Sequence, residues 1–252
     1  MSDSKLVSQV ILSPNKSTRS GKISKIAIHC MAGNMTAVSC GNFFAKSTTK
    51  ASSHYGIGSD GDMVQYVKES DRAWCTGGTK KCDGRTGSQT DHIAVTIEVA
   101  NPIAAEPWAV SDTAYSKLLD LVEDIARRNG MAEVTYQGDG SGTLQAHRWY
   151  AAKACPGDYL MERFPEIARI VTERLGGTAV SPTETSPTKT GNFLVKKTCS
   201  DSLNIRSGAG VHFGITGAIH DDLSYTITEC KDGWGKLKSG LGWISLAYIE
   251  KA

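Results

Sequence analysis

A chain of 252 residues with 40% hydrophobic and 21% charged residues is long enough for one large domain or two smaller ones, and its composition is that of a folded protein rather than a disordered one. Net charge is +2, with 20 basic against 19 acidic residues up to position 175 and 8 against 7 beyond it. Neither part is polarised, which argues against binding nucleic acid or membrane surfaces by bulk charge.

The N-terminal stretch MSDSKLVSQVILSPNKS lacks the apolar core of a signal peptide. No run reaches the roughly 18 apolar residues of a membrane-spanning helix. The chain is therefore expected to be made in a cytoplasm and to need some other route if it acts outside. Its seven cysteines, Cys30, Cys40, Cys75, Cys82, Cys155, Cys199 and Cys230, are an odd number, and reduced thiols or metal ligands are the default in that compartment. Cys75 with Cys82, and Cys199 with Cys230, are the pairs that could oxidise after release.

In chain order, KIAIHCM (Lys25 to Met31) reads as a buried strand. Thr36 is placed to cap a helix over Val38 to Ala45. SSHYGIGS and MVQYVK flank Asp60-Gly61-Asp62, a hairpin signal. HIAVTIEVA (His92 to Ala100) is β-branched enough for a central strand and ends at Asn101-Pro102. Ser111 caps a long helix whose Leu118, Leu119, Val122, Ile125 and Ala126 share a face, and Asn129-Gly130 stops it. A last helix follows Asp158, with Leu160, Phe164, Ile167, Ile170, Val171 and Leu175 apolar; Pro165 is placed to break it in two. Strands alternating with helices indicate an α/β domain, a mixed central sheet flanked by helices, over residues 1–175.

GGTAVSPTETSPTKTGN (Gly176 to Asn192) has no large hydrophobe and reads as a flexible linker, 176–192. Residues 193–252 carry short strands with turn signals, LVKKTC, LNIRS, GITGAI, YTITEC, WGKLK and GWISLAYIE, the pattern of a small all-β barrel.

Chemistry concentrates in the first part. HRWYAAKACPGD, His147 to Asp158, places a histidine, Lys153 and Cys155 close together, and His29 sits inside an apolar strand. Two histidines and a thiolate are a donor set for zinc that leaves an open fourth position. The residues alone leave two rivals open. Cys155 could be a nucleophile with a histidine base, or it could merely pack. His54 and His92 read as structural.

The motifs IAIHCMAG, SSHYGIGSDGDMVQYV, DRAWCTGG, HIAVTIEVAN and HRWYAAKACPGD, in this order, resemble the N-acetylmuramoyl-L-alanine amidases of the phage lysozyme and peptidoglycan-recognition-protein group, over roughly residues 20–175. The resemblance implies a Zn2+ cofactor held by His29, His147 and Cys155. It also implies catalytic roles for Tyr55, for Lys153 two residues before the last ligand, and for Glu98 in TIEV. Of these, Glu98 is the better base on pKa grounds, Lys153 could stabilise the oxyanion, and Tyr55 could orient or donate. The chain departs from the group at Cys75, where relatives often carry histidine. Asn34 and Trp74 are candidates for lining the substrate cleft.

SLNIRSGAGVHFGITGAI with DGWGKLKSGLGWISLAYI resembles bacterial SH3-like cell-wall-binding domains, and Trp234, Trp243, Tyr225 and Tyr248 are candidates for an aromatic groove or for the barrel core. Together the two resemblances imply a zinc amidase of peptidoglycan, cleaving between N-acetylmuramic acid and L-alanine, of the phage or prophage endolysin kind. A bacterial autolysin, a non-catalytic peptidoglycan receptor and a cysteine peptidase are the competing readings.

Overall fold

The computed structural model describes residues 3–176, 192–198, 202–210, 213–231 and 233–251. The chain divides into two compact units, residues 1–180 and 181–252. Residues 177–191 of the expected linker, and Cys199, lie outside the described residues.

The first unit runs β1 (Gln9–Val10), β2 (Lys16–Thr18), β3 (Lys25–Cys30), α1 (Ala37–Phe44), β4 (Tyr55–Ile57), β5 (Met63–Gln65), β6 (Asp71–Ala73), β7 (Lys81–Cys82), β8 (Arg85–Thr86), α2 (Gly87–Thr90), β9 (Ala94–Val99), α3 (Asp112–Arg128), β10 (Leu144–Ala146) and α4 (Asp158–Arg174). Its six-stranded sheet has the order β1-β5-β4-β9-β3-β10. Strands β4, β9, β3 and β10 run parallel, whereas β5 is antiparallel to β4. This is the mixed sheet read from the sequence. Parallel central strands are covered on both faces, which is why β3 and β9 are almost continuously apolar.

Helices α1 and α3 begin at their capping residues. Thr36 Oγ1 accepts the Ser39 N–H at the start of α1, and Ser111 Oγ accepts the Ala114 N–H at the start of α3. In α3, Asp112 in the first turn and Arg127 and Arg128 in the last oppose the helix dipole. The face that α3 buries is wider than its spacing suggests: Leu121 is as fully buried as Leu118, Leu119, Val122 and Ile125.

Helix α4 corrects one expectation. It continues unbroken through Pro165. A mid-helix proline costs about 3 kcal/mol, but Leu160, Phe164, Ile167, Ile170 and Val171 are all buried along the same helix. At roughly 1.5–3 kcal/mol for each large apolar side chain, that burial outweighs the lost hydrogen bond.

Register assigns side chains to the two faces of the sheet. His29 is opposite Glu98, Glu98 opposite Gly56, and Gly56 opposite Val64. Val64 packs with Ala37, Cys40 and Phe44 of α1, so this face lies under α1. Ile28, Ile97 and Tyr55 occupy the other face, toward α3.

The second unit comprises β11 (Phe193–Lys197), β12 (Leu203–Arg206), β13 (Ile215–Ile219), β14 (Tyr225–Lys231), β15 (Trp234–Leu237), β16 (Trp243–Ser245) and β17 (Ile249–Lys251). All its pairings are antiparallel, in the order β13-β12-β16-β15-β14-β11-β17. Val195, Leu203, Ile205, Ile219, Ile227, Leu237 and Ile244 form an aliphatic core, as expected of an SH3-like all-β domain. Trp234 is buried, whereas Tyr225, Trp243 and Tyr248 keep solvent access.

Candidate active site

The carboxyl ends of parallel strands are where an open α/β sheet leaves a crevice for ligands. Three of the residues singled out above meet there. His29 is the fifth residue of β3. Strand β10 pairs with β3 so that Ala146 lies opposite Ile28, and the next residue, His147, therefore emerges beside His29. Their ring centroids are 5.0 Å apart. The chain then turns back through residues 148–155, and the Arg148 N–H donates to the Cys155 carbonyl at 2.9 Å. This closes a loop that carries Cys155 Sγ to 3.5 Å from His29 Nδ1. The Cys30 N–H points at the same sulfur from 3.4 Å.

Gly157, directly after Cys155-Pro156, has φ +89°, and a Cβ there would come within 2.4 Å of Trp108. Only glycine permits that backbone to close against Trp108 while starting α4.

One donor atom each from His29, His147 and Cys155 lies within 4.8 Å of the other two. Zinc held tetrahedrally by nitrogen at about 2.1 Å and sulfur at about 2.3 Å sets those atoms roughly 3.6 Å apart, and the 3.5 Å between Nδ1 and Sγ matches that edge. Burial lowers the pKa of both imidazoles; His147 lowers that of His29 further, and the Lys153 ammonium lowers that of His147 further. Both rings are thereby kept neutral, the form that binds metal. The donor set fits zinc.

A second group, His29, Cys75 and Glu98, overlaps the first. Glu98 projects from β9 beside His29. Its Oε1 is 3.9 Å from Cys75 Sγ, while its Oε2 is sealed from solvent without a hydrogen-bond partner. Burial pushes its pKa up to about 8. Burial also pushes the Cys75 thiol well up, so it stays protonated and donates toward Glu98. The departure noted at position 75 thus puts a thiol against the carboxyl.

An open cleft of about 580 Å³ is lined by Gly78, Lys80, Arg148, Tyr150 and Lys153 among others. One wall is the loop joining His147 to Cys155. The other follows Thr76, and there Gly78 has φ +75° and approaches so closely that a Cβ would lie 2.2 Å from the Tyr150 carbonyl oxygen. Lys153 and Lys80 are both exposed. Arg148 is engaged with Asp158 at 2.7 Å.

Tyr55 does not join this group. The register that places Gly56 opposite Glu98 turns Tyr55 to the α3 side. There it is fully buried, and its hydroxyl donates to Glu69 Oε1 at 2.7 Å. Arg128 of α3 grips the same carboxylate through both terminal nitrogens at 2.8 Å. The period-two alternation of a strand, applied across S-H-Y-G, carries that signal: Glu98 and Tyr55 belong to opposite faces.

Asn34 is exposed on the turn after β3, its Oδ1 accepting from Ser59. Trp74 turns to the β2–β6 ribbon, where its indole N–H donates to Ser17 Oγ at 3.2 Å. His54 and His92 are structural, their Nδ1 atoms accepting backbone N–H groups of Thr96 and Ser20.

Two residues near His29 carried no sequence signal, Thr76 and Asp91. Thr76 Oγ1 lies 3.4 Å from His29 Nε2, and the buried Asp91 carboxylate accepts the N–H groups of Cys75, Thr76 and Gly77.

Residues 19–158, more than half of the chain, match the family model described as N-acetylmuramoyl-L-alanine amidase. Among solved structures, a mutant of PlyL is similar at 15% identity and a TM-score of 0.50, over 66% of this chain and 97% of that one. The Staphylococcus aureus hydrolase AmiA, solved in complex with its ligand, is similar at 14% identity and a TM-score of 0.50, over 66% of this chain and 82% of that one. At these identities the likeness is one of fold. No curated protein matches the sequence.

Proposed function

We propose, from the premise that this chain belongs to the N-acetylmuramoyl-L-alanine amidase family, that the crevice at the ends of β3, β9 and β10 is a zinc-dependent active site cleaving the amide between N-acetylmuramic acid and the L-alanine of the stem peptide. The observation that carries the zinc reading is the convergence of His29, His147 and Cys155 donor atoms beside the partnerless oxygen of Glu98. His29, His147 and Cys155 would hold the ion. Bound there, zinc supplies a Lewis acid for a poor electrophile and makes water more acidic.

The remaining work falls to side chains of the chain itself. Glu98 Oε2 takes the proton of the attacking water and returns it to the leaving nitrogen. Lys153, an exposed cation on the cleft wall, stabilises negative charge growing on the carbonyl oxygen. Lys80 extends the positive wall, which suits a stem peptide bearing carboxylates.

Cys155 is a poor candidate for a nucleophile. The Cys30 thiol and burial both push its pKa up, opposite to what a reactive thiol needs. The non-catalytic receptor reading gains nothing from the site, since all three donor residues are present.

The second unit serves as a wall anchor that raises the concentration of the first at its polymeric substrate. The pairing of the two suits a phage or prophage endolysin, with a bacterial autolysin as the alternative source. Among the described residues no helix is long and apolar enough to cross a membrane.

Digestion of purified peptidoglycan with the wild type and with His29→Ala tests the assignment. The wild type should expose new N-terminal alanine without new reducing sugar, stop with a chelator and recover with zinc, and His29→Ala should do none of this. New amino groups on any other residue, or full activity in chelator, would overturn it.

A further inference from the structure

We propose that His29, Cys75 and Glu98 form a second metal position for a thiophilic divalent ion such as Zn2+ or Cd2+, distinct from the one assigned to His29, His147 and Cys155, and that an ion held there blocks hydrolysis. The blocking rests on the function proposed above; the binding does not.

The three side chains arrive from two directions. Strands β3 and β9 set His29 opposite Glu98 on one face of the sheet. Cys75 comes from the loop after β6, where the N–H groups of Cys75, Thr76 and Gly77 are held by the buried Asp91 carboxylate. The thiol is therefore delivered by a pinned backbone. Cys75 Sγ is 3.9 Å from Glu98 Oε1, close to the roughly 3.6 Å that sulfur at about 2.3 Å and oxygen at about 2.1 Å take around tetrahedral zinc. One donor atom from each of the three residues lies within 4.8 Å of the other two. Glu98 Oε2 is sealed from solvent with no partner, and a cation would satisfy it.

Charge favours this set. A metal takes thiol and carboxyl as anions. With a neutral imidazole they leave a divalent ion without net charge, whereas two imidazoles and one thiolate leave a single positive charge. In a sheltered position the neutral cluster costs less to bury. The sulfur donor selects Zn2+ or Cd2+ over Mg2+ or Ca2+. An ion at this position engages both His29 and Glu98. The carboxylate oxygen is then occupied and takes no proton from water. The simpler alternative is that Cys75 only points a weak donor at the carboxyl, in which case no ion binds once Cys155 is gone.

The test uses the full-length chain and Cd2+, whose bond to a thiolate gives an ultraviolet charge-transfer band. Cys155→Ser breaks the first set and should still take up Cd2+ with the band of a single thiolate. Adding Cys75→Ser should remove that band. Adding Glu98→Gln instead should weaken binding at least about 10-fold, since even an outer residue of a metal site is worth about 10–100-fold. Cd2+ should raise the melting temperature of Cys155→Ser and leave that of the double serine variant unchanged. If Cys155→Ser does not fold, His147→Gln breaks the first set at another member; there Cys75→Ser should remove the band and Cys155→Ser should not. Absence of Cd2+ uptake by the folded first-set variant, or a band that survives Cys75→Ser, would overturn the second position. Excess Zn2+ should inhibit wild-type hydrolysis more strongly than that of Cys75→Ser, each relative to its own maximum, and equal inhibition would overturn the blocking. Failure of the zinc reading shows elsewhere: wild-type hydrolysis would then survive a chelator, and the Cd2+ band would still decide the second position by itself.

Discussion

The two faces of the central sheet hold two buried carboxyls, and they are treated in opposite ways. Glu69, on the α3 side, is enclosed by donors: the Tyr55 hydroxyl, both terminal nitrogens of Arg128 and the Asn129 amide. Glu98, on the α1 side, has a thiol at 3.9 Å and an oxygen with no partner. A paired buried carboxylate contributes to the fold. An unpaired one costs stability, and it persists where its reactivity is used. On the proposed function, the pairing of each group therefore separates the chemical face from the structural one, although both are lined by the same kinds of residue.

The comparison is broken most sharply at Glu98. Glu98→Gln preserves shape and removes the basic oxygen. Hydrolysis should fall about 10²–10⁴-fold, measured as release of N-terminal alanine. Thermal stability should hold or rise, because a buried group without a partner has lost its ionisable form. Retention of more than a tenth of the activity would move the base elsewhere.

Glu69→Ala should reverse the pattern. It strands the Arg128 guanidinium and the Tyr55 hydroxyl, and the side chain of Arg128 is 28% exposed, so solvent recovers part of the loss. A destabilisation of about 2–3 kcal/mol is expected, read by denaturant midpoint, with the rate per folded molecule unchanged. A rate loss without a stability loss would mean that the two faces are coupled.

How much of this was legible in the sequence depends on the range of each signal. Caps and stops are local, so Thr36, Ser111 and Asn129 marked their helices. The convergence of His29 with His147 rests on motifs far apart in sequence, and parallel pairing of β3 with β10 is what joins them. Thr76 and Asp91 were not legible. Their placement beside His29 arises from a loop held at the end of α2, and nothing in CTGG or TDH sets these residues apart from ordinary polar ones. Pro165 misled because a local rule was applied where buried side chains decide.

Tyr55 shows the same limit within a strand, and it gives the smallest and most diagnostic effect. A tyrosine one residue from a site position reads as part of the site when only motif order is considered, but a one-residue offset in a strand reverses the face. Tyr55→Phe deletes one hydrogen bond to a carboxylate that keeps its other donors, so stability should fall by about 1 kcal/mol. The rate of peptidoglycan hydrolysis should stay within about twofold, since the ring is fully buried and its hydroxyl is engaged with Glu69 on the far face. A hundredfold loss would require the hydroxyl to reach the reacting atoms through the sheet. It would therefore refute the division into two faces, and with it the assignment of proton transfer to Glu98 alone.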